Sequence, residues 1–267
     1  MTPILLTPFD IAASAVLLVF DGVLSLALRL DLHWRLAIAG ARMVVQLVLV
    51  GFILRVVFAL GSPVTTLAVI LVMIAIAGRE VAARPEQRLR RFGNYAIGAT
   101  SVAVATLLTA VIALTTAIRP HPWYDAHYAV PLAGIMLGNI LNAASLALDS
   151  MLGCVVQEKA AIEAQLMLGA SFRHAVHGLI RTSLRRALLP IVNQMSAAGI
   201  ITLPGIMTGQ ILAGMDPLEA AKYQVVLMFL LSGGGGLAAV VVVYLAAVRL
   251  TDDRQRLRLD RLHAKGT

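Results

Sequence analysis

Polar side chains at helical spacing inside apolar runs are the residues of this sequence best placed to do chemistry. Arg42 and Gln46 are four apart and Asn139 and Asn142 three apart, so each pair shares a helix face. Asn193, Gln194 and Gln210, with Ser196, Thr202 and Thr208, make 191–213 the most polar of the apolar stretches, and Met207 lies among them as a further candidate for the route. In an apolar surrounding such groups either line a route for a polar solute or hydrogen-bond one helix to another. A central arginine costs roughly 2.5–3.5 kcal/mol on insertion scales, so Arg42 must face protein or water, along a route or beside an acid such as Asp21 or Asp149.

Other residue sets offer less. Met195, Met207 and Met215 carry soft thioethers, better matched to Cu(I) than to Fe(III) or Al(III), and flexible packing is their commoner use. His121, Asp125 and His127 are spaced to hold a divalent metal but lie among interfacial aromatics, and His174 and His177 lack further ligands nearby. The metal-ligand set is therefore left open. No nucleophile, base and orienting group form a set, so no enzyme active site is expected. The chain lacks G-x-x-x-x-G-K-[ST] and so has no phosphate cradle; Gly233–Gly236 has no Lys after it and reads as close helix packing or a kink. No cofactor is expected in this chain.

The segment 155–190 is the one long stretch without a span. Gln157–Leu168 is made of good helix formers. Gly169 suits a C′ position with positive φ, and Ser171 suits the N-cap of a second, basic helix carrying Arg173, Arg181, Arg185 and Arg186 up to Pro190. A short helix, a glycine turn and a second helix joined to a span could take up force from a soluble motor, or could be an ordinary amphipathic connection.

The elements that must position these groups are membrane helices. Of the 267 residues, 59% are hydrophobic and 13% charged, with mean hydropathy +0.86, too few polar groups to cover a soluble domain. The apolar runs do not alternate, so the fold class is an all-α membrane protein. Seven spans are expected, at 8–28, 36–59, 64–83, 94–118, 129–150, 191–213 and 223–248; the first is the weakest because it contains Asp21. The segments 29–35, 79–91, 151–190 and 249–267 hold 18 of the 22 Lys and Arg, whereas the opposite segments hold only Arg55, Arg119 and Lys222. This asymmetry predicts an N-out, C-in topology, with Trp123, Tyr124 and Tyr128 at the outer interface. The net charge of +8 then reports topology rather than nucleic-acid binding. Met1–Asp10 has no Lys or Arg, so the first run reads as a retained span. The single Cys154 excludes an internal disulfide and reads as packing. No internal repeat is evident, which disfavours an ion-coupled carrier. The domains are then 1–250, a transmembrane domain with the loop 155–190, and 251–267, a basic tail read as a solvated helix on the cytoplasmic surface.

Glu163-Ala164-Gln165-x-x-x-Gly169 resembles the coupling loop of ABC transporter permeases, in which Glu158, Glu163, Ala164, Gly169, Ala170 and Ser171 would be the coupling residues. Downstream, Leu203-Pro204-Gly205-Ile206-Met207-Thr208-Gly209 and Ala213-Gly214-Met215-Asp216-Pro217 with Ala221-Lys222-Tyr223-Gln224, and upstream Arg42-x-x-x-Gln46-Leu47, resemble the FetB-type family of iron-export ABC permeases, which also includes plant permeases linked to aluminium tolerance. The resemblance covers about 35–250. It implies a homodimeric permease in a bacterial cytoplasmic membrane, bound to separate ATPase subunits that hold the ATP, and exporting iron. A nucleotide sugar, whose phosphates Arg42 suits, is the alternative cargo, and a stand-alone ion-coupled carrier the alternative class.

Overall fold

The computed structural model describes residues 7–89, 93–117 and 125–264, so His121, Trp123 and Tyr124 lie outside the described residues. The chain forms two compact units, Met1–Gly61 and Ser62–Thr267.

The first unit is a helical hairpin of α1 (Pro8–Ala27) and α2 (His33–Leu60). Thr7 and Asp10 close a capping box at the start of α1. The turn needs left-handed backbone at Arg29 (φ 52°) and Asp31 (φ 54°), which non-glycine residues adopt only when held. The buried Ser25 supplies the hold: its carbonyl accepts from Leu30 N and its Oγ from Leu32 N, both at 2.9 Å. The turn falls where composition breaks the first two apolar runs.

The second unit comprises α3 (Pro63–Ala83), β1 (Gln87–Leu89), α4 (Gly93–Ile112) running into a π-helical turn, α5 (Ala126–Gln157), α6 (Lys159–Met167), α7 (Phe172–Ala175), α8 (His177–Ala197), α9 (Gly205–Leu212), α10 (Pro217–Arg249) and β2 (Leu262–Ala264). Its core is built on α5, where Met136, Ile140, Leu148, Met151, Leu152 and Val155 are fully buried among α3, α4, α8 and α10. Small residues set the closest approaches. A Cβ on Gly98 would meet the Gly78 carbonyl at 2.8 Å, and one on Gly235 would meet Ala143 Cβ at 3.3 Å. The glycine run of α10 thus serves close packing, and α10 continues through it as one helix.

Among the described residues, five helices are long and apolar enough to cross a membrane: α2, α3, α4 with its π-turn, α5 and α10. In α1 the apolar stretch is shorter, Ala12–Ala27. The expected sixth span is not one helix. Within 191–213 the helix ends at Ala197, Gly199 turns with φ 83°, and α9 begins only at Gly205. The Ala197 carbonyl accepts from Ile201 N and Thr202 N, and Gly199 N donates to the Thr202 carbonyl, so the interruption satisfies much of its own backbone. Pro190 does not begin a span either: α8 passes through it, since a neighbouring-helix setting tolerates a proline that lone-helix propensity forbids.

Three of the four basic segments meet at one end of this unit. β2 pairs antiparallel with β1, Leu262 opposite Leu89 and Ala264 opposite Gln87, and Gln255 Oε1 accepts from Phe172 N at 2.8 Å. The tail 251–267, expected as a solvated surface helix, is instead a folded-back segment as far as Ala264.

Candidate functional site

The glycine turn between α6 and α7 has the geometry its residues predict. Gly169 takes φ 87°, Ala170 N donates to the Gln165 carbonyl and Gly169 N to the Leu166 carbonyl, both at 3.0 Å, which is a Schellman closure. Ser171 is the N-cap of α7 and accepts from His174 N at 3.3 Å. Ile162 and Phe172 are buried and anchor the two helices, while Met167 and Leu168 at the tip are 83% and 88% exposed. Glu158 joins α5 to α6: its N–H bonds the Cys154 carbonyl and its own carbonyl accepts from Ile162 N. Glu163 is exposed and pairs with Lys159 at 3.8 Å, a contact of little energetic weight. Ala164 is exposed and Ala170 half-buried. The first helix starts two residues later than Gln157 because α5 itself runs on to Gln157, seven residues or about 10 Å past the apolar run 129–150. The second helix is broken once, at Val176, into α7 and α8.

The route candidates are distributed over both units. Arg42 and Gln46 lie one turn apart on α2, both exposed. Asn139, half-buried, faces Gly235, with Oδ1 3.4 Å from where a Cβ would stand. Asn142 is exposed and accepts a 2.8 Å hydrogen bond from Arg84 Nη1. Asn193 and Gln194 are exposed on the last turn and a half of α8, beside the interruption. Met207 and Gln210 are half-buried on α9, and Gln210 Oε1 is buried without a hydrogen-bond partner among the described residues. Asp149, weighed as an Arg42 partner, accepts from Glu86 N at 3.0 Å. Asp125 accepts from His127 N and lies 3.0 Å from its Nδ1, capping α5. Among the described residues no three His, Cys, Asp or Glu side chains are grouped to hold a metal.

Sequence reasoning missed the long-range contacts of Arg84, Arg186 and the tail. Arg186 Nη1 reaches Ser150 Oγ at 3.3 Å and Cys154 Sγ at 3.7 Å, beside a cavity of about 230 Å³ that Glu86 and Asp149 also line. In the tail, hydrogen bonds from Arg256 hold the Asp252 carboxyl at about 2, and Arg258 holds Asp260 at about 2. Asp252, Asp253 and Asp260 standing among Arg254, Arg256, Arg258 and Arg261 are the signal that marks the tail as self-paired rather than uniformly cationic.

Apolar helices long enough to cross a membrane, packed through glycines, with a capped helical turn at one end, define a multi-pass helical membrane protein. The chain belongs to the family described as Uncharacterised protein family (UPF0014), whose model matches residues 8–251. It is 31% identical over 258 residues, 95% of this chain and 96% of the relative, to the "Probable iron export permease protein FetB" of Escherichia coli. It is 39% identical to a UPF0014 membrane protein of a Synechocystis cyanobacterium, covering 75% and 76% of the two chains. The "Protein ALUMINUM SENSITIVE 3" of Arabidopsis thaliana is 28% identical, covering 81% and 77%. No solved structure matches the chain.

Proposed function

We propose that this chain is the membrane-spanning permease subunit of an ABC exporter, dimeric in a bacterial cytoplasmic membrane, moving iron outward with ATP hydrolysed by a separate subunit. The observation that carries the reading is the α6–Gly169–α7 turn. It is closed by a Schellman motif and anchored by Ile162 and Phe172, and it presents Met167 and Leu168 bare at the end where the basic segments gather. Large apolar side chains this exposed, beyond the apolar length of α5, fit a groove on a soluble partner rather than lipid. The charge asymmetry supports a cytoplasmic position for that end, N-out and C-in.

The coupling residues of this reading are Glu158, Glu163, Ala164, Gly169, Ala170 and Ser171, and the interrupted stretch between α8 and α9 is its route. Exposed Asn193 and Gln194 at the end of an interrupted helix favour a water-lined cavity or a second copy over hydrocarbon. The iron assignment draws on the name of the Escherichia coli relative. The route has thioethers and carboxamides but no carboxylate before Asp216, so iron would cross as a complex rather than as a bare hard cation. Inside-out vesicles carrying the chain and its ATPase should take up labelled iron on ATP addition. Uptake of a labelled nucleotide sugar without iron would replace the cargo and keep the permease. Uptake without any ATPase, driven by an ion gradient, would replace the permease with a carrier.

A further inference from the structure

The C-terminal segment is bound to the coupling turn at an atom the turn needs. Phe172 opens α7, so its N–H has no partner within the helix. Ser171 Oγ takes His174 N, and Phe172 N goes to Gln255 Oε1 at 2.8 Å. Gln255 stands at φ 57°, a left-handed position held by its neighbours: its N–H bonds the Asp252 carbonyl at 2.8 Å, and Asp252 Oδ1 takes Arg254 N and Arg256 N. Further along, β2 is fastened to β1, and Arg261 Nη1 donates to the Arg249 and Thr251 carbonyls. The segment therefore joins the β1 loop, the coupling turn and the end of α10.

Between tail and turn lies a groove of about 530 Å³. Apolar Leu166, Met167 and Leu257 line it together with charged Glu163, Arg254 and Arg256. It is continuous with the bare Met167 and Leu168 tip.

We propose that the segment 251–264 forms one wall of the docking surface for the ATPase subunit, with Gln255 as the positioning residue that fixes the start of α7. This rests on the permease reading. The occupant is a helix or loop of the soluble ATPase offering an apolar side chain to Leu166, Met167 and Leu257, with a carboxylate beside it for Arg254. An anionic lipid surface fits less well. The groove lies past the apolar run of α5, and Arg256 and Arg258 are already turned to Asp252 and Asp260 at 2.7 and 2.8 Å.

The test uses the full chain in nanodiscs of neutral lipid and an ABC ATPase subunit from the same genome, selected by co-purification with the wild-type chain. Gln255→Ala and Arg254→Glu should each weaken ATPase binding by about tenfold. Gln255→Glu, which keeps an oxygen acceptor for Phe172 N, should restore affinity and the slow hydrogen exchange of the α7 segment. Unchanged affinity in both Gln255→Ala and Arg254→Glu, with binding abolished by Met167→Asp at the tip, would overturn the tail's role and leave the permease reading intact. A tail effect seen only when the nanodiscs contain phosphatidylglycerol would also overturn it, making the tail a membrane contact. If the wild-type chain binds no ABC ATPase, the permease reading itself fails and this inference with it.

Discussion

Arg84 Nη1 donates a 2.8 Å hydrogen bond to Asn142 Oδ1, tying the residue after α3 to the middle of α5. Asn142 is one of the carboxamides that the sequence offers to a transported solute, and here its oxygen is already engaged. The bond is exposed and charge-assisted, so it contributes about 1 kcal/mol. Arg84→Ala and Asn142→Ala should each lower the thermal midpoint of the purified protein slightly, and the double variant should add little to either. Additive losses in that double-mutant cycle would show that the two side chains act separately.

The α3–α4 crossing permits no side chain at its centre. A Cβ on Gly78 would lie 2.7 Å from Ala99 Cα, and one on Gly98 would lie 2.8 Å from the Gly78 carbonyl. Backbone cannot yield as a flexible side chain does, so Gly98→Val should cost about 3 kcal/mol or more and reduce the yield of folded protein. Gly138→Ala, where a Cβ meets nothing within 4 Å, should leave the yield unchanged. Fluorescence-detected size-exclusion of the two variants decides the matter, and equal yields would refute the crossing.

At Gly169 the constraint is conformational rather than steric. No atom lies within 4 Å of where a Cβ would stand, yet φ is 87°. A β-branched residue is strained by about 1–3 kcal/mol at such a position. Gly169→Val should therefore insert normally but bind the ATPase weakly or hydrolyse ATP without transport. Normal coupling in that variant would remove the turn from the coupling machinery.

The tail's ion pairs set a pH window. Asp252 is held at about 2 against an ordinary 3.8, by hydrogen bonds from the Arg256 side chain and backbone. A carboxyl depressed in the fold contributes its stabilisation in full above its unfolded value and loses it as pH falls through the folded one. Spin labels on Glu86→Cys and Arg254→Cys, in a Cys154→Ser background, should keep one distance from pH 7 to about pH 4 and separate only as pH nears 2. Separation already at pH 5 would contradict the pairing.

Local chemistry was legible in the sequence, and non-local chemistry was not. Gly61-Ser62-Pro63 reads as a helix stop and start, and it is one: Gly61 caps α2 at φ 55° and Pro63 opens α3. Gly169 and Ser171 announced their turn for the same reason, because φ preference and N-capping are properties of a few adjacent residues. The interruption at 198–204 was hidden by hydropathy, which weighs side chains and ignores backbone. The Leu203-Pro204-Gly205 run was its visible cue. Nothing local in Gln255 foretells a bond to a residue 83 positions earlier.

The interruption between α8 and α9 yields the sharpest test of a route. Leu188 lies against Gly236 of α10, and nine more residues of α8 carry Ala197 about 13 Å further along the axis. Pro217, where α10 starts, is 19 residues or about 28 Å from Gly236. The interruption therefore falls between the ends of α10, at a depth where exposed backbone and carboxamides need water or protein around them. Asn193→Cys, Gln194→Cys and Thr202→Cys, each in a Cys154→Ser background, should react with a membrane-impermeant maleimide. Their labelling should change when ATP is supplied to the complex, since a route alternates its exposure and a static interface between copies does not. Ile200→Cys, 89% exposed in the same loop, reports whether the loop as a whole is wetted. Labelling of none of the four sites would place this stretch against protein or lipid and move the route to another part of the fold.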